Sequence, residues 1–281
     1  MTDIKEHKHN LRALDRALRV SAESWWLYAL SFKISVFIVG ALATFFSFLS
    51  QSIPFIVAIL TAISELCLWR HSIIRDTWEV LHRELDARDS FGWLLSKAEI
   101  SDLLAQIPKG LRSKILTAKA EEEYFASVQE YSPKRAIENT QESAWWAKHI
   151  ARKTGNIYTA IVAFLIAGSF GVLILSIETI RSFDVLSNVG RVVTSAIMLV
   201  FSLDLLRTCL AYYKYSRQAA VIEERAERML CEKTVDEVQA IKLMRDYHLA
   251  HAEAPMNPNW VWKLMRDDLN ELWKTYRRRQ G

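Results

Sequence analysis

The sequence predicts an all-α polytopic membrane protein, with two transmembrane helical hairpins, a cytoplasmic helical insertion between them and a C-terminal helical tail. Three observations predict it. Four apolar stretches, at 34–49, 53–68, 157–177 and 185–203, each approach or reach the ~20 apolar residues that carry a helix across a bilayer. Only eight glycines and five prolines occur in 281 residues, which favours helix nearly throughout. All but two of the 36 lysines and arginines lie outside the two hairpin tips, at Ser50-Gln51-Ser52 and 178–191; the two exceptions are Arg181 and Arg191. The positive-inside rule then places both termini and the segment between the hairpins in the cytoplasm.

Taken in order, the expected parts are a cytoplasmic N-terminal helix (1–25), a first transmembrane hairpin (26–70), a cytoplasmic helical region (71–155), a second hairpin (156–213) and cytoplasmic C-terminal helices (214–281). In the N-terminal tail, Leu11, Leu14, Leu18 and Ala22 recur at helical spacing, with Arg12, Arg16 and Arg19 on other faces. Trp25, Trp26 and Tyr28 suit the headgroup level, and Lys33 lengthens the first span by snorkelling. The second span starts at Ile53-Pro54, a good place for proline in a helix. Its helix continues through a stripe of Ile73, Ile74, Trp78, Leu81 and Leu85 to about Asp89. Ser101 or Asp102 opens a short helix broken by Pro108-Lys109-Gly110, and 111–126 is read as another. Ser132-Pro133 signals the start of the helix that leads into the third span, the cleanest of the four, with no charge between Ile157 and Ile177.

The fourth span is expected to run on into the cytoplasm, because 212–244 contains no glycine or proline. The segment 254–259 holds two prolines in four residues and must turn, and a terminal helix is expected over 260–279. The first apolar run starts late and has no small-residue cleavage site, so no cleavable signal peptide is expected. The net charge of +4 reflects topology, and no nucleic-acid polymer is expected as a partner. Cys67, Cys209 and Cys231 fall on the cytoplasmic side or its membrane edge, where disulfides are not expected.

Lys33, Glu65, Asp204 and Arg207 are the ionisable residues within or bordering the spans. Charge inside a bilayer is costly, by ~2.5–3.5 kcal/mol at the centre on insertion scales. Two readings are open. The four residues snorkel or pair, Lys33 with Glu65 and Asp204 with Arg207, or they line the inner mouth of a pore.

His7, His9, His248 and His251 lack the cysteine or carboxylate companions of a metal site and are read as solvated or packed; no metal and no cofactor is expected. No GxxxxGK[ST], GxSxG or HExxH motif occurs, and no nucleophile–base constellation is present, so the chain is not expected to be an enzyme. Two cytoplasmic stretches, 131–149 and 244–248 followed by 254–264, mix cations, amides and large aromatics. That mixture suits an anionic, stackable ligand such as a nucleotide; the alternative is helix-on-helix packing at the membrane surface. Arg135 and Lys148 are the expected phosphate partners and Trp260 the stacking surface.

These stretches also carry a resemblance. The plan of hairpin, helical insertion, hairpin and tail resembles the SMODS-associating four-transmembrane effector family. So does the tail, in which Ile241-Lys242-Leu243-Met244-Arg245-Asp246-Tyr247 leads through a proline-bounded turn to Trp260-Val261-Trp262-Lys263-Leu264-Met265-Arg266. Tails of this kind often carry an arginine before the prolines, where this chain has His251. The resemblance implies a bacterial inner-membrane effector of anti-phage defence, responding to a cyclic oligonucleotide made by a nucleotidyltransferase. Four helices per chain enclose no wide pore, so activity is expected to need a homo-oligomer in the lipid bilayer. The competing expectation is a constitutive membrane scaffold, or a transport-complex subunit, with no ligand of its own.

Overall fold

The computed structural model describes residues 2–45, 52–111 and 124–278, and every regular element among them is a helix. In chain order these are α1 (Thr2–Phe45), α2 (Ile53–Phe91), α3 (Lys97–Gln106), α4 (Pro133–Thr179), α5 (Phe183–Ser202), α6 (Leu205–Leu230), α7 (Glu237–Glu253) and α8 (Asn259–Arg278). The chain divides into two compact units. An apolar unit comprises 24–71 and 154–210; a polar unit comprises 1–23, 72–153 and 211–281.

In the apolar unit, four helices are long and apolar enough to cross a membrane, and the chain is a multi-pass membrane protein. Large apolar side chains point outward, among them Phe55, Phe164, Leu175 and Met198, as a lipid-facing surface requires. The hydroxyls satisfy themselves within their own helices: Ser35 donates to Ser31 O, Thr159 to Gly155 O and Thr194 to Gly190 O, each at 2.9 Å. Ser64 is fully buried and donates to Ala29 O at 3.1 Å, which joins the two helices of the first hairpin. Lys33 Nζ lies 3.6 Å from Glu65 Oε1. No ion pair joins Asp204 and Arg207 among the described residues. Asp204 instead takes a left-handed conformation (φ 50°) at a break between α5 and α6. The fourth apolar stretch is therefore not continuous with the helix that follows it.

The polar unit is built on the heptad-like stripe of α1. Leu14, Leu18 and Ala22 are fully buried, as are Leu81 and Leu85 of α2, Ile137 and Ala144 of α4, Ala219 of α6 and Leu243 of α7. Three expected boundaries differ. The short helix starts at Lys97, because Ser96 caps it: its hydroxyl accepts from Glu99 N at 3.2 Å and its own N–H donates to Glu99 Oε2 at 2.7 Å. Residues 212–244 are interrupted after Leu230, and α7 begins anew with Asp236 accepting from Gln239 N at 3.2 Å. An N-cap does there what glycine or proline does elsewhere. The helix expected over 111–126 lies largely outside the described residues, and 124–126 are not helical. The starts at Pro133 and after Pro258 agree with the sequence.

Candidate ligand cavity

Each helix of the polar unit except α3 contributes at least one residue to one cavity of about 650 Å³. From α1 come Arg16 and Arg19, and from α2 Arg75, Trp78, Glu79 and His82, at the i, i+3, i+4, i+7 spacing that puts them on one face. Helix α4 gives Glu142 and Trp146 among five residues, α6 Tyr215, α7 Tyr247 and His251, and α8 Trp262, Arg266 and Asn270, the last three one turn apart. The turn 254–257 closes one edge. That turn is held in place by Arg75, whose Nη2 donates to Ala252 O (2.9 Å) and Ala254 O (2.5 Å), and by the Tyr212 hydroxyl, which donates to Met256 O at 2.8 Å.

His251 is the hub of the wall. Its Nδ1 lies 3.0 Å from Glu79 Oε2. Its ring centroid lies 5.5 Å from Trp78, 5.6 Å from His82 and 6.0 Å from both Tyr215 and Tyr247. Burial opposes the Glu79 charge, but His251, Arg75 and His82 outweigh it and hold the carboxyl below its usual range. Among the described residues of the cavity wall, four guanidiniums (Arg16, Arg19, Arg75, Arg266) face two carboxylates (Glu79, Glu142). Glu142 is already engaged, accepting from Ala126 N at 3.0 Å. Arg266 lies over the Trp262 ring at 5.5 Å. A roomy site with excess positive charge and stacked aromatic faces can hold an anionic ligand that carries a planar ring.

Beneath this wall lies a buried ionic network. Arg12 Nη2 bonds Asp86 at 3.1 Å and Asp89 at 2.8 Å, and Arg88 Nε bonds Asp89 at 3.0 Å. His82 Nδ1 meets Asp15 at 3.1 Å, and His248 Nε2 meets Asp86 at 3.2 Å. Burial works against a charge on His82, yet the carboxylates of Asp86 and Asp15 push its pKa up to about 9. Burial likewise opposes ionisation of Asp86, and His82, His248 and Arg12 override it and lower its pKa far below the usual range. Charged His82, Arg12 and Arg88 thus balance Asp15, Asp86 and Asp89. Among the described residues no group of three or more histidine, cysteine or carboxylate side chains is arranged to hold a metal ion. The side chains of His7 and His9 lie outside the described residues.

None of the three residues singled out for ligand contact lines the cavity. Arg135 Nε donates to Asp89 O at 2.8 Å, its Nη1 donates to Gln129 O, and its guanidinium lies 5.1 Å from the Tyr131 ring centroid; it clasps the end of α2. Lys148 is ion-paired with Glu223 of α6. Trp260 is half-exposed at the start of α8, with Trp262 two residues on in the cavity wall. Sequence reasoning passed over Glu79, His82, Asp86 and Asp89. Their signal was present: polar residues at 3-4-3 spacing interleaved with Trp78, Leu81 and Leu85, on a helix whose apolar stripe shares their face.

No family model, no curated protein and no solved structure matches the chain.

Proposed function

We propose that the chain is a ligand-responsive membrane effector. The polar unit would bind a small anionic, stackable ligand of the cyclic-nucleotide kind, and binding would lead the apolar helices of several copies to permeabilise the membrane. The observation that carries this reading is the cavity: about 650 Å³, four guanidiniums against two carboxylates, and an aromatic wall centred on His251. The volume lies within the range of small-molecule sites, and the charge excess selects for anions. Helices α1, α2 and α4 each contribute residues to both units, so they supply a continuous backbone by which a change in the polar unit reaches a span. Resemblance to the four-transmembrane effectors adds the setting: the bacterial inner membrane, both termini cytoplasmic, and a role in anti-phage defence. Near-complete switching requires the ligand to favour the active assembly by ~5.5 kcal/mol.

The test is membrane potential in cells expressing the protein, with and without co-produced cyclic oligonucleotides, paired with titration of the purified chain in nanodiscs. Depolarisation that needs both the protein and the nucleotide is the expected result. A chain that binds no member of a broad panel, and whose presence leaves the potential unchanged, is a scaffold.

A further inference from the structure

Helix α5 carries an outward face that lipid alone does not suit. Its 20 residues rise about 30 Å, the thickness of the hydrocarbon core of a bilayer. Val193 and Val200 are seven residues apart, so they share one side, and both are buried; they mark the packed face. Asp184 and Ser202 each stand nine residues from Val193, about two and a half turns, which places them opposite it. Asn188, Arg191 and Ser195 complete the stripe at helical spacing on that same opposite side. Asn188 is half-buried and the other four are exposed. Met198 flanks the stripe. By contrast, α2 and α4 turn Phe55, Ile59, Phe164 and Leu175 outward. The serines are tolerable in lipid, because Ser195 Oγ donates to Arg191 O at 2.9 Å and Ser202 Oγ to Leu199 O at 3.2 Å. Arg191 is different. It stands about 12 Å from the start of α5 and about 16 Å from its end. Its guanidinium has no hydrogen bond or ion pair among the described residues, whereas Lys33 and Glu65, the charges of the first hairpin, lie 3.6 Å apart. A charge at such depth faces protein or water, not hydrocarbon.

Resting on the proposed permeabilisation by several copies, we infer that α5 lines the water path between copies of this chain and that Arg191 makes that path select anions. The exposed stripe needs water along its length, and four helices per chain enclose none, so further copies must close the path. Copies inserted under one charge rule share one orientation, and equal residues then meet at equal depth. Arg191 forms a ring in this arrangement, and so does Asp184. Arginine rings favour anions and carboxylate rings favour cations, so depth decides between them. Asp184 lies in the first turn of α5, at the mouth, where water and salt screen it. Arg191 lies about 10 Å deeper, where lipid and protein lower the dielectric and strengthen its field. The permeating class is therefore small anions, such as chloride, ahead of potassium.

The full chain is reconstituted in planar bilayers under a potassium chloride gradient, with a panel of cyclic dinucleotides added to both sides. The sign of the reversal potential reports which ion carries the current. Wild-type current is expected to be anion-selective, Arg191→Gln should lose most of that selectivity, and Arg191→Glu should reverse the sign. A second measurement needs no current. In liposomes, Ser195→Cys on a Cys231→Ser background should react with a charged methanethiosulfonate at least about tenfold faster than Phe164→Cys, which points outward from α4. Cys67 and Cys209 are buried and stay in place. If Arg191→Glu does not fold, Arg191→Gln and the labelling decide. A current whose selectivity is the same in wild type and Arg191→Gln, or equal labelling of Ser195→Cys and Phe164→Cys, overturns the role of α5 and leaves permeabilisation standing. If the wild-type chain passes no current with any probe, the permeabilising reading falls and the anion path falls with it.

Discussion

Arg12 shows why the most informative residues of the polar unit are hard to find from local pattern. It sits on α1 among leucines, and its guanidinium is buried against Asp86 and Asp89, more than seventy residues away. Nothing near Arg12 in sequence announces those partners. Removing one member of such a pair leaves a buried charge unmatched, which costs ~3–5 kcal/mol. Arg12→Ala is expected to lower the unfolding free energy by that amount, read by denaturant titration of the detergent-solubilised chain. Arg12→Ala with Asp86→Asn should recover part of the loss. His82 extends the argument to pH. Its folded pKa of about 9 lies above the usual value of 6.5, so between those values the folded protein holds a proton that the unfolded chain has released. The groups that face it are Asp15 and Arg12 from α1, Asp86 and Glu79 from its own helix, Tyr124 and His251. Its stabilising contribution is complete below about 6.5 and lost as pH rises through 9. The midpoint of thermal unfolding should fall across that window, and His82→Gln should flatten the fall.

At the scale of elements, boundaries set by local chemistry were readable and those set by a single capping side chain were not. Ser132-Pro133 and Pro258 mark helix starts because proline constrains the backbone wherever it stands. The break between α6 and α7 depends on Asp236, an ordinary polar residue until its side chain is seen to accept from Gln239 N. The break at Asp204 rests on a left-handed residue that is not glycine. Gly92 is the reverse case, a glycine whose need is specific. It ends α2 at φ +75°, donates to Arg88 O at 2.9 Å, and an added Cβ would meet the Tyr131 ring at 3.0 Å. Tyr131 in turn lies under Arg135, which holds the carbonyls of Asp89 and Gln129. Gly92→Ala combines left-handed strain of ~1–2 kcal/mol with displacement of that ring. The expected result is a loss of at least ~1 kcal/mol of stability, with hydrogen exchange faster at the C-terminal turn of α2 and the first turn of α4 than elsewhere.

For the whole molecule, the membrane character was legible because lipid imposes one rule on every residue of a span, so composition alone reports it. The cavity was not, because it draws between one and five residues from each of six helices and no short window contains more than a fragment. The prediction that belongs to this scale is orientation, and the chain carries its own reporter. Cys67 and Cys209 are buried, whereas Cys231, at the end of α6 in the polar unit, is exposed. Nearly all the lysines and arginines flank or lie outside the apolar stretches on the side that includes residue 231, and on the positive-inside rule that side faces the cytoplasm. A membrane-impermeant maleimide should therefore leave Cys231 unmodified in intact cells and modify it fully once the membrane is opened. A cysteine placed at Ser187, near the start of α5 and on a Cys231→Ser background, should show the opposite pattern. Modification of Cys231 from outside intact cells would invert the topology. The arginines of the cavity would then face away from any ligand synthesised inside the cell, and the proposed response would lose its source of signal.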